Sequence, residues 1–262
     1  MSAAEEFLAA YDAQLRTDAE TPSASRVHRL GPLRLVTFDG GRGFITYADL
    51  AGADAATIRG WVGDALAYFR DQPAITRVEW KTRGHDVAPG LHESLEKNGF
   101  VADEPESIMI GETRLLAVGA PPPEGVSLRR VSSETDVRAM CVMESIAFGD
   151  DDSEETAQAL LRRLGLDDGM ELWVAEAAGQ VISAGRLEPV AGTQFAGLWG
   201  GATLPQWRRH GVYRALTAAR ARSALSLGKT LLHSDSTEFS RPILERSGLI
   251  KVSTTTPYEW RR

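Results

Sequence analysis

The sequence predicts an α/β protein of the α+β kind, built as two domains that each carry a mixed, mostly antiparallel sheet flanked by helices. Three observations lead there. The chain has 262 residues, and at about 100 to 200 residues per domain two ordinary domains are the natural reading. The second half reads in order as strand, two helices, three strands, helix, strand, helix and a last strand. The first half repeats the later part of that order around a short stretch of shared sequence.

In the first half, GFITY (43–47) reads as a strand and TIRGWVGDALAYFRDQ (57–72) as an amphipathic helix with Ile58, Trp61, Val62, Leu66 and Phe69 on its apolar face. TRVEW (76–80) follows as a strand. LHESLEKNGFV (91–101) then aligns without gaps on SRPILERSGLI (240–250), matching Leu95 to Leu244, Glu96 to Glu245, Lys97 to Arg246 and Gly99 to Gly248. DGGRG (39–43) precedes its strand, so it reads as a hairpin or loop and not as a phosphate cradle. Between the halves, AVGAPPPEG (117–125) holds three prolines and two glycines, which forbid a helix interior or central strand. The expected domains are therefore 1–118 and 119–262.

The second half opens with VSLRRV (126–131) as a strand. Ser132 or Ser133 then caps a helix whose apolar face is Val137, Met140, Cys141 and Ile146. DSEETAQALLRRL (152–164) has acids in its first turn and arginines in its last, as a helix dipole prefers. ELWVAEAAGQVISAGRL alternates about an AAGQ turn, and FAGLWGGATL continues as a third strand of an antiparallel meander. HGVYRALTAARARSALSLG has helical period with Gly228 as its C-cap. TLLHS is a strand, SRPILERSGLI a short helix ending at Gly248, and the last strand lies near Thr255 to Trp260.

Composition narrows the function. The chain is 43% hydrophobic and 25% charged, with a net charge of -7 and one cysteine, Cys141. No apolar stretch approaches the roughly 20 residues of a membrane helix. A lone cysteine excludes a disulfide framework and Cys-rich zinc modules, and no His/Cys/Asp cluster has metal spacing, so the expectation is no metal and a cytoplasmic home. The acidic, amphipathic start MSAAEEFLAAYDAQL is not a signal peptide. Net acidity argues against nucleic acid as the partner. Residues 1–120 hold 12 Lys and Arg against 18 Asp and Glu, a net of -6, and leave the rest near neutral at 17 against 18. The second half is the less repulsive host for an anionic ligand.

PQWRRHGVYRAL stands at a strand-to-helix junction, where Gly211 allows close backbone approach and the N–H groups of a helix start can receive anionic oxygens. This segment resembles the acyl-CoA-binding signature of the GCN5-related N-acetyltransferases (GNAT), Arg/Gln-x-x-Gly-x-Gly/Ala. Here it stands as Arg208-x-x-Gly211-x-Tyr213, with Tyr213 departing from the small residue. The likeness extends from about residue 126 to 262, including the strand ending Ala202-Thr203-Leu204-Pro205 and the Gly-Leu pair of SRPILERSGL. It implies two GNAT-like domains with a splayed central strand, a tandem arrangement whose N-terminal half is degenerate, and acetyl-CoA or another acyl-CoA as cofactor. By that likeness Ala202 and Thr203 would pair with pantetheine. Arg208, Arg209, His210, Gly211, Val212, Tyr213 and Arg214 would surround the pyrophosphate, and Thr237 and Ser240 would approach the cofactor, unless they are simple N-caps. In the first half, ADLAGADAA (48–56) has no arginine-glycine pattern, and Asp49 and Asp54 would repel a phosphate.

Acyl transfer to an amine calls for a base, an oxyanion donor and an acid for the leaving thiolate. The resemblance implies a tyrosine four residues before the Gly of the last helix, where this chain has Leu244. It implies a glutamate six positions before Thr203, where this chain has Gly197. Asp235 and Ser236 are the nearest polar replacements, with turn capping as their alternative role. Trp199 either lines an acceptor pocket or fills core, and His233 reads as a core histidine. Two functions follow: an acetyl-CoA-dependent N-acyltransferase acting on the amine of a small molecule or peptide, or a non-catalytic acyl-CoA-binding or regulatory protein.

Overall fold

The computed structural model describes residues 1–119, 121–149 and 151–262. Ala120, inside the proline-rich 117–125 segment, and Asp150 lie outside the described residues. The elements run α1 (Ala3–Leu15), β1 (Arg26–Leu30), β2 (Leu33–Phe38), β3 (Arg42–Thr46), α2 (Ala55–Arg70), β4 (Arg77–Lys81), α3 (Leu91–Lys97), β5 (Val101–Ala102), β6 (Glu106–Glu112) and α4 (Thr113–Ala117). They continue with β7 (Val126–Val131), α5 (Glu134–Phe148), α6 (Ser153–Leu164), β8 (Glu171–Ala177), β9 (Gln180–Pro189), β10 (Phe195–Thr203), α7 (Val212–Ser226), β11 (Leu231–Ser236), α8 (Arg241–Arg246), β12 (Ile250–Thr255) and β13 (Pro257–Arg261). Two compact units result. One comprises Met1–Ile108, Asp235–Glu238 and Lys251–Arg262, the other Met109–Ser234 and Phe239–Ile250.

The first unit contains a six-stranded sheet of order β1-β2-β3-β4-β13-β5. Only β3 and β4 run parallel, from Arg42↔Arg77 to Ile45↔Trp80, and α2 is the crossover between them. The DGGRG segment is the hairpin between β2 and β3, with Gly40 and Gly41 at φ +83° and +78°. Ile58, Val62, Leu66 and Phe69 of α2 meet Leu35, Ile45, Val78 and Trp80 of the sheet, so the helical period read from the sequence is the face that packs. Strand β13 lies beside β4 in the register Tyr258↔Trp80 and adds Tyr258 and Trp260 to this core. The sequence predicted one strand near Thr255 to Trp260. The chain instead forms two, β12 in the seven-stranded sheet and β13 here.

The seven-stranded sheet has the order β12-β6-β11-β10-β9-β8-β7. The antiparallel meander β8-β9-β10 is as read, turning at Ala178 and Gly179, both at positive φ as a type I′ turn requires. Helices α5 and α6 pack Val137, Met140, Cys141 and Leu160 on Leu172, Val174 and Ala184. Helix α7 packs Ala221 and Ala224 on Ala196, Leu198 and Leu232. Burial pushes the Cys141 thiol up to about 12, reinforced by the charge of Glu144, so this cysteine is an inert part of the core.

The short repeat is structural as well. Gly99 follows α3 at φ +86° and Gly248 follows α8 at φ +104°. Phe100 N then donates to Leu95 O at 3.1 Å, and Leu249 N to Leu244 O at 3.0 Å. The matched glycines exist because each helix ends in a left-handed residue that turns the next apolar side chain into its own core. Among the described residues no helix is long and apolar enough to cross a membrane.

At the start of α5, Arg129 forks onto Asp136 at 2.7 and 3.1 Å, and Ser133 donates to the same carboxylate. Those bonds hold the Asp136 carboxyl down to about 2 from 3.8. A depressed carboxylate contributes stability above its unfolded pKa and loses it as pH falls through the folded value. Asp136→Asn should therefore cost up to about 1 kcal/mol at pH 7, as suits a half-exposed pair, and well under half of that at pH 2, where the wild-type carboxyl is itself about half protonated, in urea titrations at both pH values.

Candidate functional site

The site begins where β10 leaves β11. The two strands pair in parallel only at Phe195↔Leu231, Ala196↔Leu232 and Gly197↔His233, while β10 runs on to Thr203. Past that point β10 no longer pairs with β11, and side chains donate to four carbonyls along its remaining length. Ser234 Oγ donates to Leu198 O at 2.9 Å and Arg220 Nη1 makes a long contact to Trp199 O at 3.5 Å. Ser183 Oγ donates to Ala202 O at 2.6 Å and Arg208 Nε to Thr203 O at 3.0 Å.

Between Trp199 and Ala202 the pairing with β9 shifts from Trp199↔Arg186 to Ala202↔Ala184, a β-bulge with Gly200 at φ +58°. The extra residue reverses side-chain parity. Leu198 packs with α7, yet Ala202, four residues on, packs with α5. Before the bulge the simple alternation holds, with Phe195 and Trp199 both edge-on to the His233 ring at 5.8 and 5.2 Å. The Trp199 indole folds back over Gly197, where any Cβ would strike its Nε1.

After Thr203 a single 3₁₀ turn at Pro205–Trp207 leads into the loop before α7. Arg209 and Gly211 both take positive φ, +67° and +82°. Gly211 is the N-cap, with open space where a Cβ would stand and no side chain capping the helix. The first intrahelical bond is Ala215 N to Gly211 O at 3.0 Å, so the amides of Val212, Tyr213 and Arg214 precede it. Residues 204–234 contain no Asp or Glu, whereas Arg208, Arg209, Arg214, Arg220, Arg222 and Lys229 all fall there. An uncapped helix start in an acid-free basic segment suits the phosphates of an acyl-CoA.

The structure divides the arginines by task. Arg208 is spent on structure, through Thr203 O and Ala147 O at 3.0 Å each, while Arg209 and Arg214 are exposed. His210 Nδ1 lies 2.9 Å from Arg208 O and its ring meets Trp207 edge-on. Tyr213, the departure from the small-residue pattern, has a counterpart in Gly201. A Cβ there would stand 2.8 Å from the tyrosine ring, so the glycine makes room for the larger side chain.

The remaining sequence-predicted residues group differently. Leu244 is 1% exposed in the core with Leu198, Leu232 and Leu249. Ser240 is the N-cap of α8 and makes no side-chain cap bond. Asp235, Ser236 and Thr237 belong to the first unit. There Asp235 Oδ2 takes the Lys81 ammonium at 2.7 Å, and Glu20 Oε1 stands 3.9 Å from the same nitrogen. Burial opposes charge on Lys81, but Asp235, Tyr11 and Glu20 outweigh it and raise its pKa. Asp235→Asn should strand that cation and lower stability by about 3 kcal/mol, while adding Lys81→Met restores much of the loss in urea unfolding.

The matching junction of the first unit is closed. Asp54 caps α2, its Oδ1 accepting from Thr57 N at 2.8 Å, and that bond holds its pKa down. Just past the end of β3, Tyr47 O accepts from Arg16 Nε at 3.3 Å and Nη2 at 3.2 Å. Thr46 Oγ1 receives Arg83 Nη1 at 2.8 Å and donates to Glu20 Oε2 at 2.7 Å, and Arg83 pairs with Glu20. A carboxylate and two guanidiniums thus gather at the end of β3.

Sequence reasoning missed the charged groups around the bulge. Arg186, on β9 opposite Trp199, and Glu144, on α5, both lie near Gly200, and Arg220 of α7 is 1% exposed. Arg220 sits in AARARSA, which reads as the polar face of a helix, and only the missing Cβ at Gly185 hints that something large lies there. No group of three or more His, Cys, Asp or Glu could hold a metal ion among the described residues.

No family model and no curated protein matches the sequence. Solved structures match the fold. A GCN5-related N-acetyltransferase from Kribbella flavida superimposes with a TM-score of 0.70 at 18% identity, covering 99% of this chain and 96% of that one. A functionally unknown conserved protein from Staphylococcus epidermidis gives 0.70 at 11% identity, over 91% and 94%. A tandem GNAT protein from the clavulanic acid biosynthesis pathway gives 0.61 at 14% identity, over 87% and 78%. With two mixed sheets, a parting parallel strand pair and an open helix start after it, this chain has the tandem fold of the GCN5-related N-acetyltransferases.

Proposed function

We propose that the second unit binds acetyl-CoA and transfers its acetyl group to the amine of a small molecule or peptide. The observation that carries this reading is the junction of β10 and α7: a parted strand, an uncapped helix start at Gly211 and an acid-free run of arginines. In this reading Ala202 and Thr203 of β10 flank the pantetheine. The amides of Val212, Tyr213 and Arg214, with Arg209, His210 and Gly211, receive the pyrophosphate. Arg208 acts by pinning the loop to β10. Thr237 and Ser240 are further contributors to cofactor binding in this reading. The first unit, whose helix start is capped by Asp54, binds no cofactor in this proposal.

Transfer asks the protein to position an amine against a thioester, which alone supplies up to about 7 to 11 kcal/mol of the barrier. Asp235, whose carboxylate takes the Lys81 ammonium at 2.7 Å, is the proposed proton acceptor. Ser236 is the neighbouring hydroxyl proposed to relay a proton to the leaving thiolate. The single buried cysteine fits a reducing, cytoplasmic setting.

Acetyl-CoA should stabilise the protein by about 2.7 kcal/mol at a hundredfold excess over its dissociation constant, read as a rise in Tm. Gly211→Glu should abolish that rise by placing bulk and negative charge before the helix amides. Gly60→Glu, on open space along α2, should leave it intact. A screen of amines for CoA release decides the reaction: stabilisation without release for any amine would leave the chain a binder of acyl-CoA.

A further inference from the structure

Arg220 lies on α7, two turns below the proposed phosphate site, and is 1% exposed. A guanidinium removed from water is costly unless its surroundings return the lost hydration, and arginine does not escape by losing its proton. The acceptors here are specific. Nη1 donates to Arg186 O at 3.1 Å and approaches Trp199 O at 3.5 Å, and Nη2 donates to Thr217 Oγ1 at 3.2 Å. Burial lowers its pKa, opposed by the Tyr213 phenol and the Glu144 carboxylate.

The sheet is shaped around this charge. A Cβ at Gly185 would overlap the guanidinium, so β9 carries its one unobstructive residue there. Trp199 is the last residue before the Gly200–Gly201 bulge, and the Tyr213 ring lies against Gly201. Cation, phenol and bulge thus form one packed group beside the stretch of β10 that no longer pairs with β11. A purely structural filler for that space would be an apolar side chain, which costs no desolvation.

We propose, resting on the acetyl-transfer reading above, that Arg220 is a positioning residue for the reaction: it holds the Trp199–Gly201 bulge in place and sets a fixed positive charge behind it. In the transfer the amine nitrogen bonds to the thioester carbonyl carbon while the C=O electron pair moves to oxygen. Collapse reforms C=O and breaks C–S, the pair leaves on sulfur, and the amine proton ends on the CoA thiol. Negative charge passes through oxygen and then sulfur, and a preorganised cation shielded from water favours those stages over the neutral thioester.

The test uses acetyl-CoA with hydroxylamine as a generic amine, following CoA thiol release, alongside the acetyl-CoA-induced rise in Tm. Arg220→Met should lower kcat about 10²-fold, with KM for acetyl-CoA and the Tm rise little changed. Arg220→Lys, which keeps the charge without the fork, should recover part of the loss. Gly185→Ala should also lower kcat by displacing the guanidinium without deleting it, and it decides the matter if Arg220→Met does not fold. Wild-type kcat in Gly185→Ala and Arg220→Met overturns the inference, as does a loss of turnover that only follows a loss of acetyl-CoA binding. If the unmutated protein releases no CoA above the uncatalysed rate with hydroxylamine or with any amine of the screen, the acetyl-transfer reading falls, and this inference with it.

Discussion

A strand that parts from its neighbour inside a sheet leaves hydrogen-bonding groups without partners, and the second unit is organised around that constraint. An unsatisfied buried carbonyl costs about as much as a lost hydrogen bond, so parting is tolerated only where other donors arrive. Ser234, Arg220, Ser183 and Arg208 bring them to Leu198, Trp199, Ala202 and Thr203 in turn. They come from β11, α7, β9 and the loop before α7, which ties every element around the opening to β10. The opening is therefore a built feature whose shape depends on four side chains outside the strand itself.

The first unit has no such parting, since β3 and β4 end level with each other. Arg16 and Arg83 donate to Tyr47 and Thr46 at the end of β3, with Glu20 neutralising part of their charge, and Asp54 satisfies the start of α2 internally. Both units obey one rule, that backbone donors and acceptors near a strand end and a helix start must be paired by something. In one unit the partners are side chains throughout. In the other the helix start has no side-chain cap, and its electropositive end suits an external anion.

Charge placement follows from that difference. The segment from Leu204 to Ser234 is free of carboxylates, so the helix dipole and arginines act together. Acidic groups gather elsewhere, as in the Glu20, Lys81, Arg83 and Asp235 network, where opposite charges repay each other's desolvation. The net charge of -7 conceals this separation, which is a matter of local sequence and not of composition.

Much of the second unit was legible in the sequence because its signals are local. Helix periods, the AAGQ turn, the Gly248 ending and the Arg208–Gly211 junction each rest on residues within one or two turns of each other, and the structure has each of them, except that Ile146, read onto the apolar face of α5, is exposed. The repeat of Leu95, Gly99 and Phe100 in Leu244, Gly248 and Leu249 was legible for the same reason, a shared backbone turn. What only the tertiary structure decided is long-range. β13 joins the first unit's sheet beside β4, because Tyr258 and Trp260 complete an apolar face more than 150 residues away in sequence. The bulge at Gly200 and Gly201 is invisible to alternation counting, since two glycines carry no side-chain signal. Asp235 reads as a polar strand end until Lys81 is found beside it. Arg220 reads as helix surface until Gly185, Arg186 and Trp199 close over it, because burial belongs to partners brought together by folding and not to a residue's own neighbours in the chain.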